Sequence, residues 1–340
     1  DLIKPIIEKV AAQTDSGPCT TYIGGDGSGN YVKMVHNGIE YGDMQVLGEA
    51  YTILKTVGGL SNDELAKIFA DWNSQELDSF LVEITSQILA KKDVDVFNVG
   101  NHTRLEANES RFLVDQILDK TGNKGTGKMT IKEGADRAVA VGTMSAALDA
   151  RFIAFDKDSR AEMAPLLDGP TQIPEVDKEQ LIDDVRNAVY CSKICSYAQG
   201  MNLIRAASEE FSWGVDLGEC ARIWKGGCII RARFLDRIKT AYDKDANLVN
   251  LMVDPDFKDE MAQRQKSWRR IVSLCAAAGV PVPSMYSSLA YFDQYRRDTL
   301  ISASLVQGQR DFFGSHTFER MDKPRGEFYH CKWTDAHYES

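Results

Sequence analysis

Residues 32–45 read VKMVHNGIEYGDMQ and place six side chains with polar or polarisable groups along one face of a predicted helix. At positions i, i+3, i+4, i+7, i+8 and i+11 these are Lys33, His36, Asn37, Glu40, Tyr41 and Met44. An amine, an imidazole, an amide, a carboxylate and a phenol on one face form a candidate site for binding a polar substrate and moving protons. The alternative is a solvated face with an ordinary lysine–glutamate pair.

The remaining residues of this segment indicate how the polar face would be positioned by packing of the helix. The opposite side is apolar, as a helix packed on a core requires, at Val32, Val35, Ile39 and Val46. Gly38 and Gly42 each cost about 1 kcal/mol relative to alanine inside a helix. We therefore expect another segment of backbone to pack closely against them.

The glycine-rich stretch GGDGSGN, residues 24–30, precedes this helix in the order of a dinucleotide-binding fingerprint. Gly25 and Gly27 fill two of the three glycine positions, but Asn30 stands at the third. The acidic residue about 20 positions further on, Glu49, lies in the same helical run instead of after a second strand. The sequence therefore argues against a nucleotide at this turn.

A second glycine-rich stretch, GNKGTGK at residues 122–128, nearly matches the spacing of a P-loop. Met129 stands where a magnesium-binding serine or threonine is needed, and a charged helical pattern precedes the stretch, so ATP binding is not expected. Its free backbone N–H groups, two lysines and threonine hydroxyl suit a phosphate monoester. A plain turn between helices is the alternative.

A third stretch, QRDFFGSHTFE at residues 309–319, has Arg310 and His316 on either side of an aromatic turn. Alone it is a weak signal, because such residues near the end of a chain are usually solvated. The nearby His330, Cys331 and His337 fit no zinc spacing, so we expect no metal site.

The elements that must position these residues are mainly helical. Strand candidates are confined to CTTYIG at residues 19–24, which follow a helical pattern at the start of the chain. The sequence thus predicts a mainly α protein, a large all-helical domain preceded by the last helix and strand of an α/β unit. Helices are expected at residues 31–55, 62–91, 111–120, 132–155, 178–211, 217–241, 255–278 and 284–309.

A weak internal repeat indicates that the helical domain consists of two duplicated halves. The stretch starting at Glu64 resembles the stretch starting at Glu219, and each follows a long helix, one with Lys33 and the other with Lys193. Chance similarity between amphipathic helices is the alternative.

Composition limits the classes of function. The net charge of −10 repels a nucleic-acid backbone on average, so no nucleic-acid partner is expected. No apolar stretch reaches the roughly 20 residues of a membrane span, and no signal segment is evident. Seven cysteines without regular spacing are typical of reduced, mostly buried thiols, which favours the cytoplasm.

Taken together, these stretches resemble the 6-phosphogluconate dehydrogenase family. The match is unbroken over residues 32–45 and extends through ELDSFLVEIT, NKGTGK, YCSKICSYAQG, WKGGCIIRARFL, SWRR and QRDFFGSHTFE. The resemblance implies oxidative decarboxylation of 6-phospho-D-gluconate to D-ribulose 5-phosphate and CO2, with reduction of NADP, in the pentose phosphate pathway. It also implies three parts: residues 1–29 as a remnant of the NADP-binding Rossmann-like domain, 30–313 as the catalytic and dimerisation domain, and 314–340 as a tail packed on the partner subunit.

The resemblance also implies roles for individual residues. Lys33 is similar to the catalytic lysine and Glu40 to the catalytic acid, and His36 and Asn37 resemble ligands of the substrate hydroxyl and carboxylate groups. Four residues resemble ligands of the 6-phosphate, namely Tyr41, Lys124, Thr126 and Arg151. Arg310 and His316 resemble the pair that reaches in from the second subunit of an obligate homodimer.

Several features depart from the family pattern. Met129 replaces a tryptophan, Ser28 and Asn30 replace alanine and histidine, and the segment between Val94 and Arg111 is longer by about a dozen residues. The start at Asp1 within a helical pattern indicates a missing preceding part, and without a coenzyme domain we expect the chain alone to be inactive.

Two other functions stay open at this point. The wider β-hydroxyacid dehydrogenases share the spacing of Gly29, Lys33 and Asn37 but lack the phosphate ligands. A non-catalytic helical module that dimerises and binds a sugar phosphate is the second.

Overall fold

The chain forms a mainly α fold in a computed structural model that describes residues 2–122 and 125–334. Two short antiparallel hairpins accompany the helices: β1 (Gln13–Thr14) with β2 (Gly17–Pro18), and β3 (Lys92–Asp93) with β4 (Asn108–Phe112). Short 3-10 helices occupy Leu113–Gln116, Ala164–Leu166 and Leu251–Val253. In the described residues the α-helices are α1 (Lys4–Val10), α2 (Ser28–Thr56), α3 (Asn62–Asn73), α4 (Phe80–Ala90), α5 (Thr126–Asp136), α6 (Gly142–Phe155), α7 (Lys157–Met163), α8 (Lys178–Glu210), α9 (Leu217–Ile223), α10 (Leu235–Lys244), α11 (Pro255–Ala278), α12 (Pro283–Tyr295) and α13 (Ile301–Gly314).

The two predicted halves are visible in the order and start signals of the helices. The long helix α2 is followed by α3 and α4, and the long helix α8 by α9 and α10. Ser61 begins α3 by accepting the Glu64 N–H, and Asp216 begins α9 by accepting the Glu219 N–H. The segments before α4 and α10 then pair with each other in an antiparallel bridge at Ser79. The predicted fold class is confirmed.

The centre of the fold is the contact between α2 and α8. A Cβ added at Gly42 would strike the Ser196 hydroxyl, and one added at Gly200 would lie 2.5 Å from the Ile39 side chain. The helices therefore approach as closely as small residues allow. A fully buried ion pair between Lys193 of α8 and Asp43 of α2 crosses this interface.

Some predicted elements are wrong in detail. Residues 111–120 do not form a helix, since Arg111 and Phe112 end β4 and Leu113–Gln116 form a 3-10 turn. Lys92 of β3 lies over the Phe112 ring, with its Nζ 3.3 Å from the ring centroid. Helical spacing alone cannot distinguish this hairpin, because strand pairing depends on a segment about 20 positions away.

The strand expected at residues 19–24 is also wrong. Arg222 of α9 donates hydrogen bonds to the carbonyl groups of Pro18 at 2.8 Å and Thr20 at 3.0 Å. Since a side chain satisfies these acceptors, the extended backbone has no strand partner there. The same contacts fix the segment before α2 to the second half of the domain.

Four of the predicted long helices are interrupted. In the first, Ser79 accepts the Val82 N–H and starts α4 as a separate helix. In the second, Ala138 takes a left-handed φ of 53° between α5 and α6. The other two breaks lie at residues 224–234 and 296–300. The helical spacing of apolar residues continues through such breaks. It depends on which face of the chain is buried, and not on where a helix begins or ends.

By its contacts the chain divides into two units, one ending at Tyr291 and the other beginning at Phe292. The predicted domain limits at residues 29/30 and 313/314 stay predictions. None of the helices in the described ranges is long and apolar enough to cross a membrane.

The buried ion pair between α2 and α8 gives a stability prediction. Asp43→Leu should lower the free energy of unfolding by about 3–5 kcal/mol, because it leaves the Lys193 ammonium buried without a counter-charge. The double variant Asp43→Leu/Lys193→Met should recover most of this loss, since no buried charge remains. Urea denaturation followed by circular dichroism at fixed protein concentration measures both.

The exposed pair of Lys258 and Asp259 provides a matched control. Asp259→Ala should change the free energy of unfolding by less than about 0.5 kcal/mol. Equal losses for Asp43→Leu and Asp259→Ala would show that the buried pair does not stabilise the interface.

Candidate active site

Helix α2 carries the predicted face, on which His36 and Tyr41 are buried and the other four side chains are exposed or half-buried. A left-handed Gly27, with φ 87°, precedes its first residue and turns the chain into the helix. The apolar side of the helix is buried, at Val32, Val35, Ile39 and Val46. Gly38 makes room for α5, since a Cβ there would overlap the Thr130 side chain, and the Thr130 hydroxyl donates to the Met34 carbonyl at 2.9 Å. Neighbouring helices thus pack closely at Gly38 and Gly42, but the contacting atoms belong to the Thr130 and Ser196 side chains and not to the expected backbone.

Lys33, His36 and Asn37 form one polar group on α2. The Nδ1 atom of His36 lies 3.3 Å from Lys33 Nζ and 3.2 Å from Asn37 Oδ1. Lys33 is exposed and Asn37 is half-buried, whereas His36 is only 1% exposed. The amine and the amide are thus open to a ligand, and the imidazole lies beneath them.

The environment of His36 keeps its ring neutral. Burial, with the Lys33 charge as a second cause, lowers the pKa of His36 to about 4, although the hydrogen bond with Asn37 acts in the opposite direction. The Trp224 ring packs edge-on against the imidazole, with 5.6 Å between the ring centroids. In a neutral ring, Nδ1 either accepts from the Lys33 amine or donates to Asn37 Oδ1, according to the tautomer.

Glu40 lies two turns beyond Lys33 on the same face and is half-buried. Burial raises the pKa of the Glu40 carboxyl group above its usual value, and the Asp43 charge adds to this effect. Lys33 and Arg151 lower it, without reversing the direction. A carboxyl group with a raised pKa can hold a proton nearer neutral pH and deliver it, as a general acid must.

Three of the predicted phosphate ligands meet where α2, α5 and α6 converge. The Arg151 guanidinium of α6 lies 3.5 Å from the centroid of the Tyr41 ring, and its Nη2 donates to Met44 Sδ at 3.4 Å. Thr126 is the first residue of α5, and the next residue, Gly127, packs so tightly on Tyr41 that a Cβ would lie 2.5 Å from the ring. The first turn of α5 therefore lies next to the Tyr41 ring, which the guanidinium also contacts.

Two other residues considered from the sequence are Lys124 and Glu49. Lys124 lies outside the described residues. Glu49, weighed above as a nucleotide ligand, is buried and accepts the N–H groups of Ser284 at 2.8 Å and Met285 at 2.9 Å at the start of α12. Burial raises the pKa of Glu49 to about 7 despite these hydrogen bonds.

The glycine-rich turn before α2 is not a dinucleotide cradle. A Cβ at Gly24 would lie 2.8 Å from the Trp213 carbonyl oxygen, so this turn packs against the end of α8 instead of enclosing an open space. Residues 19–23, directly before it, form no strand, and the third glycine is absent. This turn therefore does not fit the pyrophosphate of NADP.

Arg310 and His316 belong to the second unit. Arg310 is an exposed residue of α13, and its Nη1 donates to Gln307 Oε1 at 2.9 Å. His316 is also exposed and packs its ring edge against Phe313, with 6.1 Å between the centroids. The structure thus brings Lys33, Asn37, Glu40, Tyr41, Thr126 and Arg151 together in the first unit and these two residues in the second.

The sequence reasoning missed one residue that shapes the site directly. Trp224, which orients His36, lies in the WKGGC stretch that carried part of the family resemblance, but no role was assigned to it. An aromatic residue about 190 positions from α2 gives no local signal for this contact.

A sequence model of the 6-phosphogluconate dehydrogenase C-terminal domain matches residues 29–333. The chain is 58% identical over 339 residues to Arabidopsis thaliana "6-phosphogluconate dehydrogenase, decarboxylating 3, chloroplastic", covering 98% of this chain and 66% of that protein. It is 50% identical over 335 residues to Synechococcus elongatus "6-phosphogluconate dehydrogenase, decarboxylating", covering 98% of this chain and 68% of that protein. The chain thus spans about two thirds of the length of these relatives.

Among solved structures, the chain is similar to Plasmodium falciparum 6-phosphogluconate dehydrogenase, with a TM-score of 0.89 and 46% identity. The match covers 97% of this chain and 68% of that one. That enzyme was solved in its apo form, with its cofactor NADP+ and with its substrate 6-phosphogluconate. With the sequence match across residues 29–333, this places the chain in the 6-phosphogluconate dehydrogenase family.

Proposed function

We propose that this chain supplies the substrate site of an NADP-dependent enzyme that oxidatively decarboxylates 6-phosphogluconate to ribulose 5-phosphate and CO2. The observation that carries the proposal is the single face on which an amine, a carboxyl group and a phosphate-binding corner lie in order along α2. Lys33 and Tyr41 are eight residues apart, or roughly 12 Å along a helix. This separation suits an extended sugar acid with its phosphate at one end.

The phosphate end of the substrate would lie against Tyr41, Thr126 and Arg151. The guanidinium provides charge and directed N–H groups, the phenol provides a hydroxyl, and the start of α5 provides backbone N–H groups. Lys124 belongs to the same proposed set by its place in the KGTGK stretch. This corner distinguishes a phosphorylated acid from the substrates of other β-hydroxyacid dehydrogenases.

The acid end of the substrate would lie against Lys33 and Asn37. Because His36 is buried below them, we assign it the orientation of these two side chains in addition to its predicted ligand role. Lys33 as a neutral amine takes the proton of the C3 hydroxyl. As a cation it then stabilises the negative charge that develops on the C3 oxygen when CO2 leaves.

Glu40 completes the reaction by giving a proton to C2 of the enediolate that remains after CO2 is lost, and this carbon becomes C1 of ribulose 5-phosphate. A base and an acid two turns apart on one face of a helix can exchange protons with neighbouring carbons of the same bound substrate. NADP, when bound, would supply the oxidation as a hydride acceptor. The turn at residues 24–30 is not assigned to NADP, because a Cβ at Gly24 would lie 2.8 Å from the Trp213 carbonyl oxygen.

A homodimer with a shared site is part of the proposal. In α13 only Asp311 is buried, and large apolar side chains such as Ile301, Leu305 and Phe313 are exposed. A helix with this apolar surface needs a covering partner. We assign that role to a second copy of the chain, with residues 314–340 on the partner and Arg310 and His316 at the partner's phosphate site.

The proposed compartment is the cytoplasm. The cysteines of the described residues are all free, as a reducing compartment requires. Since the Arabidopsis relative is called chloroplastic, a plastid is the alternative. Fractionation of the source cells would distinguish the two.

The role of Lys33 predicts the behaviour of Lys33→Met. In protein expressed from its complete gene, kcat for NADPH formation from 6-phosphogluconate should fall by roughly 10²–10⁴-fold, because the base is lost. The exposed Lys258→Met variant is the control and should keep parental activity. Retention of most activity in Lys33→Met would exclude this base.

Two further measurements on the same proteins separate the rival functions. Turnover of an unphosphorylated β-hydroxyacid as fast as 6-phosphogluconate would favour the wider dehydrogenase group. Calorimetric binding of 6-phosphogluconate without turnover in the parent would favour a non-catalytic module.

The shared site predicts the behaviour of Arg310→Ala. Its dissociation constant for 6-phosphogluconate should rise by about tenfold or more, because a charged hydrogen bond to phosphate is lost. Calorimetry measures the affinity, and sedimentation measures the dimer. Unchanged affinity in a protein that stays dimeric would show that the cross-subunit site is wrong.

The buried neutral His36 predicts a dependence of stability on pH. Its folded pKa of about 4 lies below the unfolded value of about 6.5, so the unfolded chain binds more protons between these values. This contribution to stability is full above about pH 6.5 and is lost as the pH falls towards 4. From pH 7 to 4.5 the loss should be about 2.5 kcal/mol.

The test compares urea unfolding of the parent with that of His36→Gln across this range. The difference between the two proteins should shrink as the pH falls, because glutamine does not titrate. His102→Gln, at an exposed histidine, is the control and should follow the parent. Parallel curves for the parent and His36→Gln would contradict a buried neutral imidazole.

A further inference from the structure

Asp311 is the only buried residue of α13, and its carboxylate collects four hydrogen bonds. Oδ1 accepts the Thr317 N–H at 2.9 Å and lies 2.8 Å from His330 Nδ1. Oδ2 accepts the Cys331 N–H at 3.1 Å and the Trp333 indole N–H at 2.8 Å. One side chain thus joins α13 to two separate parts of the segment that follows it.

The hydrogen-bond donors around Asp311 stabilise the charged form of its carboxylate. Burial alone would raise the pKa of Asp311, but the hydrogen bonds from His330, Cys331, Trp333 and Thr317 lower it to about 2. Asp311 is therefore an anion at neutral pH, and both of its oxygens act as acceptors. An asparagine at this position would place its NH2 group opposite two of these N–H donors, and those two hydrogen bonds would be lost.

The turn held by Asp311 has an unfavourable backbone. Ser315 and Thr317, the two neighbours of His316, have left-handed φ angles of 47° and 60°. Such angles are disfavoured for residues other than glycine, and especially for β-branched threonine. A strained turn persists only where surrounding contacts fix it, and the Thr317 N–H is fixed by Asp311.

The same turn is linked to Arg310. Gln307 donates from Nε2 to the Thr317 carbonyl at 2.6 Å and accepts from Arg310 Nη1 at 2.9 Å. Asp311 therefore holds the N–H group of Thr317, and Gln307 holds its carbonyl group. The exposed Arg310 and His316 side chains project from one small, hydrogen-bonded frame.

We infer that Asp311 is a positioning residue that fixes the strained turn around His316, and with it Arg310, in the arrangement that binds the substrate phosphate. The inference rests on the proposed function, which places these two side chains at that phosphate. Asp311 itself does not touch the substrate. It orders the Arg310 and His316 side chains before the substrate binds. The loss of their conformational entropy therefore does not weaken binding.

The test is the affinity of protein expressed from its complete gene for 6-phosphogluconate, measured by calorimetry. Asp311→Asn should raise the dissociation constant by about tenfold or more while the dimer and the helix content are kept. Asp311→Glu keeps the charge and should recover part of the affinity. Asp322→Asn removes an exposed carboxylate of the same unit and should stay within about twofold of the parent.

If Asp311→Asn does not fold, two variants that each remove one hydrogen-bond donor to Asp311 test the same inference. His330→Ala and Trp333→Phe each remove one donor to the carboxylate, and each should weaken binding by a smaller factor than Asp311→Asn. Parental affinity in both variants, or in a dimeric Asp311→Asn, would overturn the inference.

The readout also separates a positioning role from a general structural one. With the complete enzyme, KM for 6-phosphogluconate should rise more than kcat falls. An equal loss of kcat and affinity, or a lower melting temperature with unchanged affinity, would overturn the positioning role. Failure of the parent to bind 6-phosphogluconate, or unchanged affinity in Arg310→Ala, would instead contradict the proposed function.

Discussion

The close contact between α2 and α8 is the interaction on which the rest of the structure depends. Gly42 and Gly200 let the two long helices approach, and the buried pair of Asp43 and Lys193 fixes their alignment. Charges buried this deeply are tolerated only in their pairing geometry, so a shift of one helix along the other would separate them at high cost. Because α2 cannot slide, the side chains on its opposite face keep fixed positions relative to α5 and α6.

The duplicated halves share this central pair of helices but use it differently. In α2 a lysine lies on the open face beside His36, whereas the lysine of α8 is buried as the partner of Asp43. One half thus has an open lysine, and the other has a buried lysine that is the counter-charge of Asp43 at the interface. The second half also contributes Trp224, which packs on His36, and Arg222, which holds the segment leading into α2. The candidate site therefore depends on both halves although its polar face belongs to one helix.

Burial shifts the pKa values of two neighbouring groups on α2, His36 and Glu40, in opposite directions. The burial that makes His36 a weak base also raises the pKa of Glu40, because burial disfavours the charged form of each. Both groups thereby approach their neutral forms, the imidazole as an acceptor and the carboxyl group as a proton donor. Lys33 and Arg151 limit the effect at Glu40. Such opposed shifts are typical of sites that move protons.

The fold class, the helical face of α2 and the small residues that let it pack could all be predicted from the amino-acid sequence. These features are local, since helical spacing and glycine positions can be read within one segment. Tertiary structure decided which polar residues are open and which are buried, because burial depends on distant segments such as Trp224 above His36. It also decided the interrupted helices, the 92–112 hairpin and the acceptors for the strained turn at Thr317. These depend on pairing between separated parts of the chain, which no local pattern of residues records.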